Sequence, residues 1–357
     1  MNKYASALLA AMFAVAFPFL ISAAATDRGF SHDLPGGGPK PWTHLNFQDD
    51  PDDFHFAIVP DRTGGDFRGA FTNALAKVNL MRPAFVMTVG DLIPGLKPPK
   101  VIRPQRIALT NMASKVIAPF FYVVGNHDIG RSRPSYPLNH EESLEVWKEF
   151  HGERTYYSFM YRGVLFIALD TMEGRDSRRP QVGITKEQYA WFKKTLDAHA
   201  DARWTIIFMH QPSAWKSVDW EAFEKAELSK RKYTVFAGDW HHYIYARRHG
   251  RDHYVLAVAG GCSAGNELNG DSRVLLGKDY GEMDHITWVT MTKEGPVVAN
   301  LTLDGILPGD YLTQRTTLST EQPLPLDEPP DKEVVEKFKK IAAERAAKKA
   351  AAGSKPR

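Results

Sequence analysis

One pattern, repeated five times, constrains this chain more than any other feature: a short apolar run stops, and an acid, an amide or an imidazole follows within a few residues. The blocks are FHFAIVPD ending in Asp61, FVMTVGD ending in Asp91, FFYVVGNHD with Asn126, His127 and Asp128, IIFMH with His210, and YTVFAGDWHH with Asp239, His241 and His242. Such runs read as strands buried on both faces, and helical patterns lie between them, as in Phe67, Phe71, Leu75 and Val78. Strands punctuated by helices predict a layered α/β protein, in which the strand ends converge on one crevice.

Taken singly, each block has an ordinary explanation. An Asp after a strand caps a helix or starts a turn, and one His there is usually a satisfied polar residue. Five in succession, each offering ligands suited to a transition metal, are hard to attribute to turns.

Composition narrows the chemistry. The chain has 357 residues, 43% hydrophobic and 24% charged, an ordinary globular balance with room for one large domain or two. Its formal charge is only +3, and Lys and Arg are dispersed, so no nucleic-acid partner is suggested. A single cysteine, Cys262, allows no intrachain disulfide and no cysteine-rich zinc site, so a metal would rest on His, Asp, Asn and Glu. Cys262 itself reads as a small residue in a Gly-rich turn.

Along the chain, residues 1–25 have the layout of a secretory signal: Lys3, an apolar run from Ala5 to Ile21, then small residues to Ala25. An uncleaved anchor is the alternative, and no later segment is apolar enough to span a bilayer. Residues 26–53 form an irregular lead-in, 54–310 the main domain, 311–331 a Pro-rich linker and 332–357 a basic helical tail. The tail reads as a solvated helix, with a membrane-surface or partner-binding role as the alternative. Two strand-like runs meet at Arg162 and Gly163, Thr185 and Gln188 make a capping box, and later runs such as HITWVTMT and PVVANLTLDGI look like antiparallel partners.

The order Asp, Gly-Asp, Gly-Asn-His-Asp, strand-terminal His, Gly-x-x-His resembles the calcineurin-like metallophosphoesterases over about residues 54–305. Gly90-Asp91 and Gly125-Asn126-His127-Asp128 are the most specific part. The stretches ERTYYSF, RWTIIFMHQP and DHITWVTMTKEGPVVANLTLDGI are similar to a bacterial branch whose first block reads Asp-Arg-Thr-Gly-Gly. The resemblance implies a four-layer αββα sandwich, with two mixed β-sheets face to face and helices outside. It also implies two divalent or trivalent metal ions, Asp91 bridging them, Asp61 and His241 on one, Asn126 and His210 on the other, and Asp239 in a ligand slot. By the same resemblance His127 acts beside the leaving group; Asp128, adjacent in sequence though it need not face the same way, is a second catalytic candidate.

Three positions depart from the family pattern. Thr63 stands where a His usually follows the first Asp, Asp239 where a His is usual, and Pro94 where an acid often orients the catalytic His. The oxygen-rich set favours Mn or Fe over Zn. Arg131 and Arg133, and Arg175, Arg178 and Arg179, lie on loops where a guanidinium could anchor phosphate, Arg131 and Arg175 being the chosen candidates; solvated basic loops are the alternative.

The expectation is thus a periplasmic or secreted phosphoesterase acting on a small-molecule or surface phosphoester. The alternative is a degenerate or one-metal member that binds a phosphorylated ligand with little turnover.

Overall fold

The structure, a computed structural model, describes residues 52–63, 69–130, 140–172, 183–261, 281 and 283–302, with the backbone of 305–308. The expected signal, most of the lead-in, the linker, the tail, Gly64, Gly65, Phe67, Cys262 and the five candidate loop arginines lie outside these residues.

Five strands form one sheet. Phe54–Val59 (β1) runs parallel to Val86–Thr88 (β2) and antiparallel to His285–Met291 (β9), which continues through Pro296–Thr302 (β10) to Gly305–Pro308 (β11). Six strands form the other: Tyr157–Tyr161 (β3), Val164–Ala168 (β4), Trp204–Phe208 (β5), Tyr233–Ala237 (β6), then Arg251–Val255 (β8) and Ile244–Arg248 (β7) at the far edge. β4, β5, β6 and β8 are parallel; β3 and β7 pair antiparallel at the two edges.

The period-two alternation of the strands decides the layers. Phe54, Phe56 and Ile58 share a core with Phe166, Phe208 and Phe236 of the other sheet. Their neighbours Ala57 and Val59 instead pack with Phe71, Leu75 and Val78 of helix Ala70–Met81 (α1). On the opposite side, Leu165, Ile167 and Ile207 pack against Phe192 and Leu196 of helix Lys186–Ala198 (α5) and Trp220 of helix Val218–Ala226 (α6). Helices therefore flank two stacked sheets, and strands covered on both faces are why the runs read as unbroken apolar sequence. The remaining helices are Pro99–Ala113 (α2), the short Asn126–Ile129 (α3) and His140–His151 (α4). Among the described residues no helix is long and apolar enough to cross a membrane.

Three local expectations change. FFYVV forms only a bridge, Phe120 to Val86, because the Val123 amide donates to the Thr88 hydroxyl (2.8 Å) instead of extending the ladder. The helix expected near Phe67 begins at Ala70, after Gly69 at φ +88°. At α5 the Thr185 hydroxyl accepts from the Gln188 amide (3.2 Å), while the buried Gln188 side chain clasps the Asp170 backbone at both N–H and C=O, so the reciprocal half of the expected box is not made. The hairpin at Arg162 and Gly163 forms as expected, with both residues at positive φ.

Candidate metal centre

All the strand ends with polar residues lie at one edge of the sandwich, where β1, β2, β5 and β6 finish. Backbone hydrogen bonds fasten the blocks together. The Arg62 and Thr63 amides both donate to the Asp91 carbonyl (3.1 Å each), the Gly238 amide donates to the His210 carbonyl (2.8 Å), and the Asp239 amide donates to Asp61 Oδ2 (2.8 Å). Past β8 the chain crosses back to the first sheet, and the Ala259 amide closes on the Asp61 carbonyl (2.8 Å).

This tight approach is paid for in backbone strain. Asp91, Asp239 and His241 sit at φ +55°, +66° and +57°, a left-handed conformation costing about 1–2 kcal/mol at a non-glycine residue. Glycine is required at two neighbours: a Cβ on Gly125 would overlap the Asp91 carboxylate, and one on Gly238 the Asp61 carboxylate.

The donors converge. Asp61, Asp91 and His210 are all buried and offer ligand atoms within 4.8 Å of one another. His210 Nε2 lies 3.2 Å from Asp91 Oδ2, 3.3 Å from Asn126 Oδ1 and 3.5 Å from Asp239 Oδ1. Its Nδ1 donates to the Val89 carbonyl at 2.7 Å, which turns Nε2 toward the carboxylates, a common way of orienting a metal-binding imidazole. His241 Nε2 lies 3.4 Å from Asp61 Oδ2. Thr63 is buried beside the cluster, tied by its backbone to Asp91.

Charge decides what this set suits. Among the described residues no Lys or Arg pairs with Asp61 or Asp91, and Asp61 Oδ1 is buried without a hydrogen-bond partner. Burial pushes the Asp61 pKa up, and His210 and His241 offset this only in part. Burial would do the same to Asp91, but His210 and His127 hold it well below the carboxylate range. Burial opposes charge on His210 too, yet Asp91, Asp61 and Asp239 keep its pKa well above the usual value. Buried acids with a vacant lone pair and an oriented imidazole fit a metal cation, and the donor set is oxygen-rich.

His127 stands at the rim, its amide donating to Asp91 Oδ1 (2.7 Å) and its Nε2 3.9 Å from Asp91 Oδ2. Pro94, which lacks the acid usual at that position, still contributes: its carbonyl accepts from His127 Nδ1 at 2.7 Å. Asp128 is placed differently from the catalytic position expected of it. It is buried, Oδ2 accepts from the Asp91 and Gly125 amides (2.8 and 2.9 Å), and Oδ1 pairs with Arg106 at 3.1 Å. That makes it a positioning residue for the strained Asp91 backbone. His242 is buried and its Nδ1 contacts the Trp240 carbonyl at 2.5 Å.

Sequence reasoning missed Gln211 and Arg106, among others. Gln211 donates from Nε2 to Asn126 Oδ1 (3.2 Å), holding the amide oxygen toward His210. Arg106 is 1% exposed, donates to the Asp128 carbonyl (2.9 Å) and stacks on Trp147. A signal for Arg106 existed: it interrupts the apolar stripe Ile102, Leu109, Ala113 of α2, where a charge needs a buried partner. None pointed to Gln211 beyond its place after His210.

A family model described as calcineurin-like phosphoesterase matches residues 53–243. Among solved structures the chain is similar to PhoD (TM-score 0.51, 13% identity, covering 76% of this chain and 74% of that one). It is also similar to a dimetal phosphatase from Danio rerio (0.50, 15%, covering 72% and 99%). A third is a purple acid phosphatase from yellow lupin (0.50, 15%, covering 77% and 57%). Identities this low speak for the fold alone. No curated protein matches the sequence.

Proposed function

The chain belongs to the calcineurin-like phosphoesterases, metal-dependent hydrolases of phosphoric esters, and from that premise we propose that it is an exported enzyme cleaving a phosphomonoester or phosphodiester at a two-metal site. One observation carries the reading: Asp61, Asp91, Asn126, His210, Asp239 and His241 meet at one strand edge, with Asp61 Oδ1 buried and unpartnered.

In this reading Asp61, Asp91 and His241 would hold one ion and Asn126, His210 and Asp239 the other, with Asp91 shared between them and Mn or Fe favoured over Zn. Bound ions would supply the acidity that makes hydroxide available from water near neutral pH and the charge that offsets phosphoryl oxygens. The chain's own side chains do the rest. His127, held through Nδ1, presents Nε2 to the leaving oxygen as proton donor, Gln211 keeps the Asn126 oxygen turned inward, and Asp128 fixes the Asp91 backbone. Arg131 and Arg175 are proposed as phosphate anchors. We assign residues 1–25 to an export signal and 54–310 to the catalytic domain, placing the mature enzyme in the periplasm or outside the cell.

Thr63 and Asp239 favour a second reading, a one-metal or degenerate member that holds a phosphorylated ligand with little turnover. The test is to purify the mature chain without chelator, measure bound metal by mass spectrometry, and assay an aryl phosphomonoester and an aryl phosphodiester with Mn²⁺ beside Asp91→Ala. Stoichiometric metal and hydrolysis lost in the variant support the enzyme. No metal and no difference between the two proteins overturn it, and about one metal per chain selects the second reading.

A further inference from the structure

His127 is oriented here by a backbone carbonyl, and a carbonyl can orient a proton donor only if its own peptide plane is held. The Pro94 carbonyl and the Gly95 N–H belong to one planar peptide unit, so fixing either end fixes the other. The Pro94 oxygen accepts from His127 Nδ1 at 2.7 Å, and on the opposite side the Gly95 N–H donates to Gln105 Oε1 at 2.9 Å. The plane is thus gripped from both ends, and polarisation of each bond strengthens the other.

Packing leaves this peptide little freedom. Gly95 lies at φ +50° with Leu96 at the same angle, and a Cβ on Gly95 would overlap the His127 carbonyl oxygen. Upstream, Arg62 Nη1 donates to the Leu92 carbonyl at 3.1 Å, anchoring the start of the loop. Gln105 is on α2, one residue before the buried Arg106 that pairs with Asp128. Two consecutive side chains of one helix therefore reach both halves of the site.

We propose that Gln105 is a positioning residue for the leaving-group step: by setting the Pro94–Gly95 peptide plane it holds His127 with Nδ1 protonated and Nε2 directed at the leaving oxygen. Its side-chain hydrogen bond goes to Gly95 rather than to His127 or the metal-ligand set, and it lies in none of the recognised blocks. The proposal rests on the phosphoesterase reading above and predicts a selective effect. Removing Gln105 should leave metal binding intact and weaken only catalysis that needs the leaving oxygen protonated, a contribution of about 10²–10⁴-fold when fully lost.

The experiment compares wild type, Gln105→Ala and Gln105→Glu, whose carboxylate still accepts from Gly95, on p-nitrophenyl phosphate and on an alkyl phosphate monoester. The expected result is unchanged bound metal in all three, a drop of roughly tenfold or more in kcat for the alkyl ester in Gln105→Ala with at most about twofold on the nitrophenyl ester, and recovery in Gln105→Glu. An equal loss on both esters, loss of metal in parallel, or no change on either overturns the proposal. A second readout is independent of turnover: ¹⁵N ring shifts of His127, assigned with His127→Gln, should report a single hydrogen-bonded Nδ1–H in wild type, which leaves Nε2 to carry the second ring proton that it delivers, and a mixture of bonded and unbonded ring states in Gln105→Ala. Were the protein to hydrolyse neither ester, the phosphoesterase reading would fail while this signature still decided the role of Gln105, identical ring shifts in both proteins ruling it out.

Discussion

Two clusters of acids and imidazoles, Asp61, Asp91 and His210 just past the ends of β1, β2 and β5, and Glu221, Glu224 and His249 on α6 and the β7–β8 turn, each bring two carboxylates and a histidine within metal-binding reach. At the strand ends, Asp61, Asp91 and His210 face one another with no Arg or Lys pairing with either acid among the described residues. On α6, Glu224 is buried just as deeply, but Arg248 Nη2 sits 2.9 Å from its Oε2 and 2.7 Å from Glu221 Oε2. The Tyr233 hydroxyl donates to Glu224 Oε1 at 2.9 Å, and His253 Nε2 lies 3.0 Å from the same oxygen. Proximity alone does not make a cation site. The second cluster carries its own counter-charge, so it ties α6 to β6, β7 and β8, while the first leaves an acid oxygen for a ligand to satisfy.

The sharpest way to break this contrast is to remove one acid from each cluster. Asp91→Ala should lose bound metal and reduce phosphoesterase turnover by on the order of a thousandfold or more, read by metal analysis and kcat, with a smaller change in melting temperature. Glu224→Ala should do the reverse. Arg248 would keep Glu221 but lose its buried partner, and Tyr233 and His253 would lose the carboxylate they contact, at a cost of about 3 kcal/mol in urea unfolding, with metal per folded chain unchanged. If Glu224→Ala also emptied the metal site, the two clusters would not be independent.

Asp128→Asn sharpens the comparison from the side of the first cluster. It keeps the shape but loses the ion pair with Arg106 and one acceptor for two backbone amides, so metal affinity should fall about 10–100-fold in a titration while the chain stays folded.

Acid tests the second cluster. Burial would raise the Glu224 pKa, but His253 and Arg248 outweigh it and bring it down to about 2, below the ordinary 4.5. A folded-state pKa below the unfolded one means the unfolded chain binds the proton first as pH falls. Its stabilisation should be complete above pH 4.5 and be lost progressively toward pH 2. Over that window the urea midpoint of wild type should fall more steeply than that of Glu224→Gln. The smallest effect should come from Lys225→Ala, whose ion pair with the partly exposed Glu221 should contribute no more than about 0.5 kcal/mol.

Much of the site was legible beforehand because strand ends and ligand chemistry are both local. Asp61, Asp91, Asn126, His210, Asp239 and His241 follow apolar runs that end where the sheet ends, so the pattern named the residues that meet. Asp128 shows what the pattern leaves open: adjacency to His127 says nothing about direction, and in the short α3 its carboxylate turns back onto backbone amides. Gln105 and Gln211 were invisible because each acts through a neighbour, across a loop or beside a ligand, with no periodicity to expose it.

The chain by itself determined most of the strand and helix order, the ligand types and, with one cysteine, that no intrachain disulfide can form, since these follow from side-chain identity and hydrophobic period. Only the tertiary structure decided which acids are left without a counter-charge, that a proline carbonyl orients His127, and that Arg106 reaches the site from a helix outside the sheets. Those depend on distances of about 3 Å between residues far apart in sequence, the range over which a hydrogen bond forms or fails.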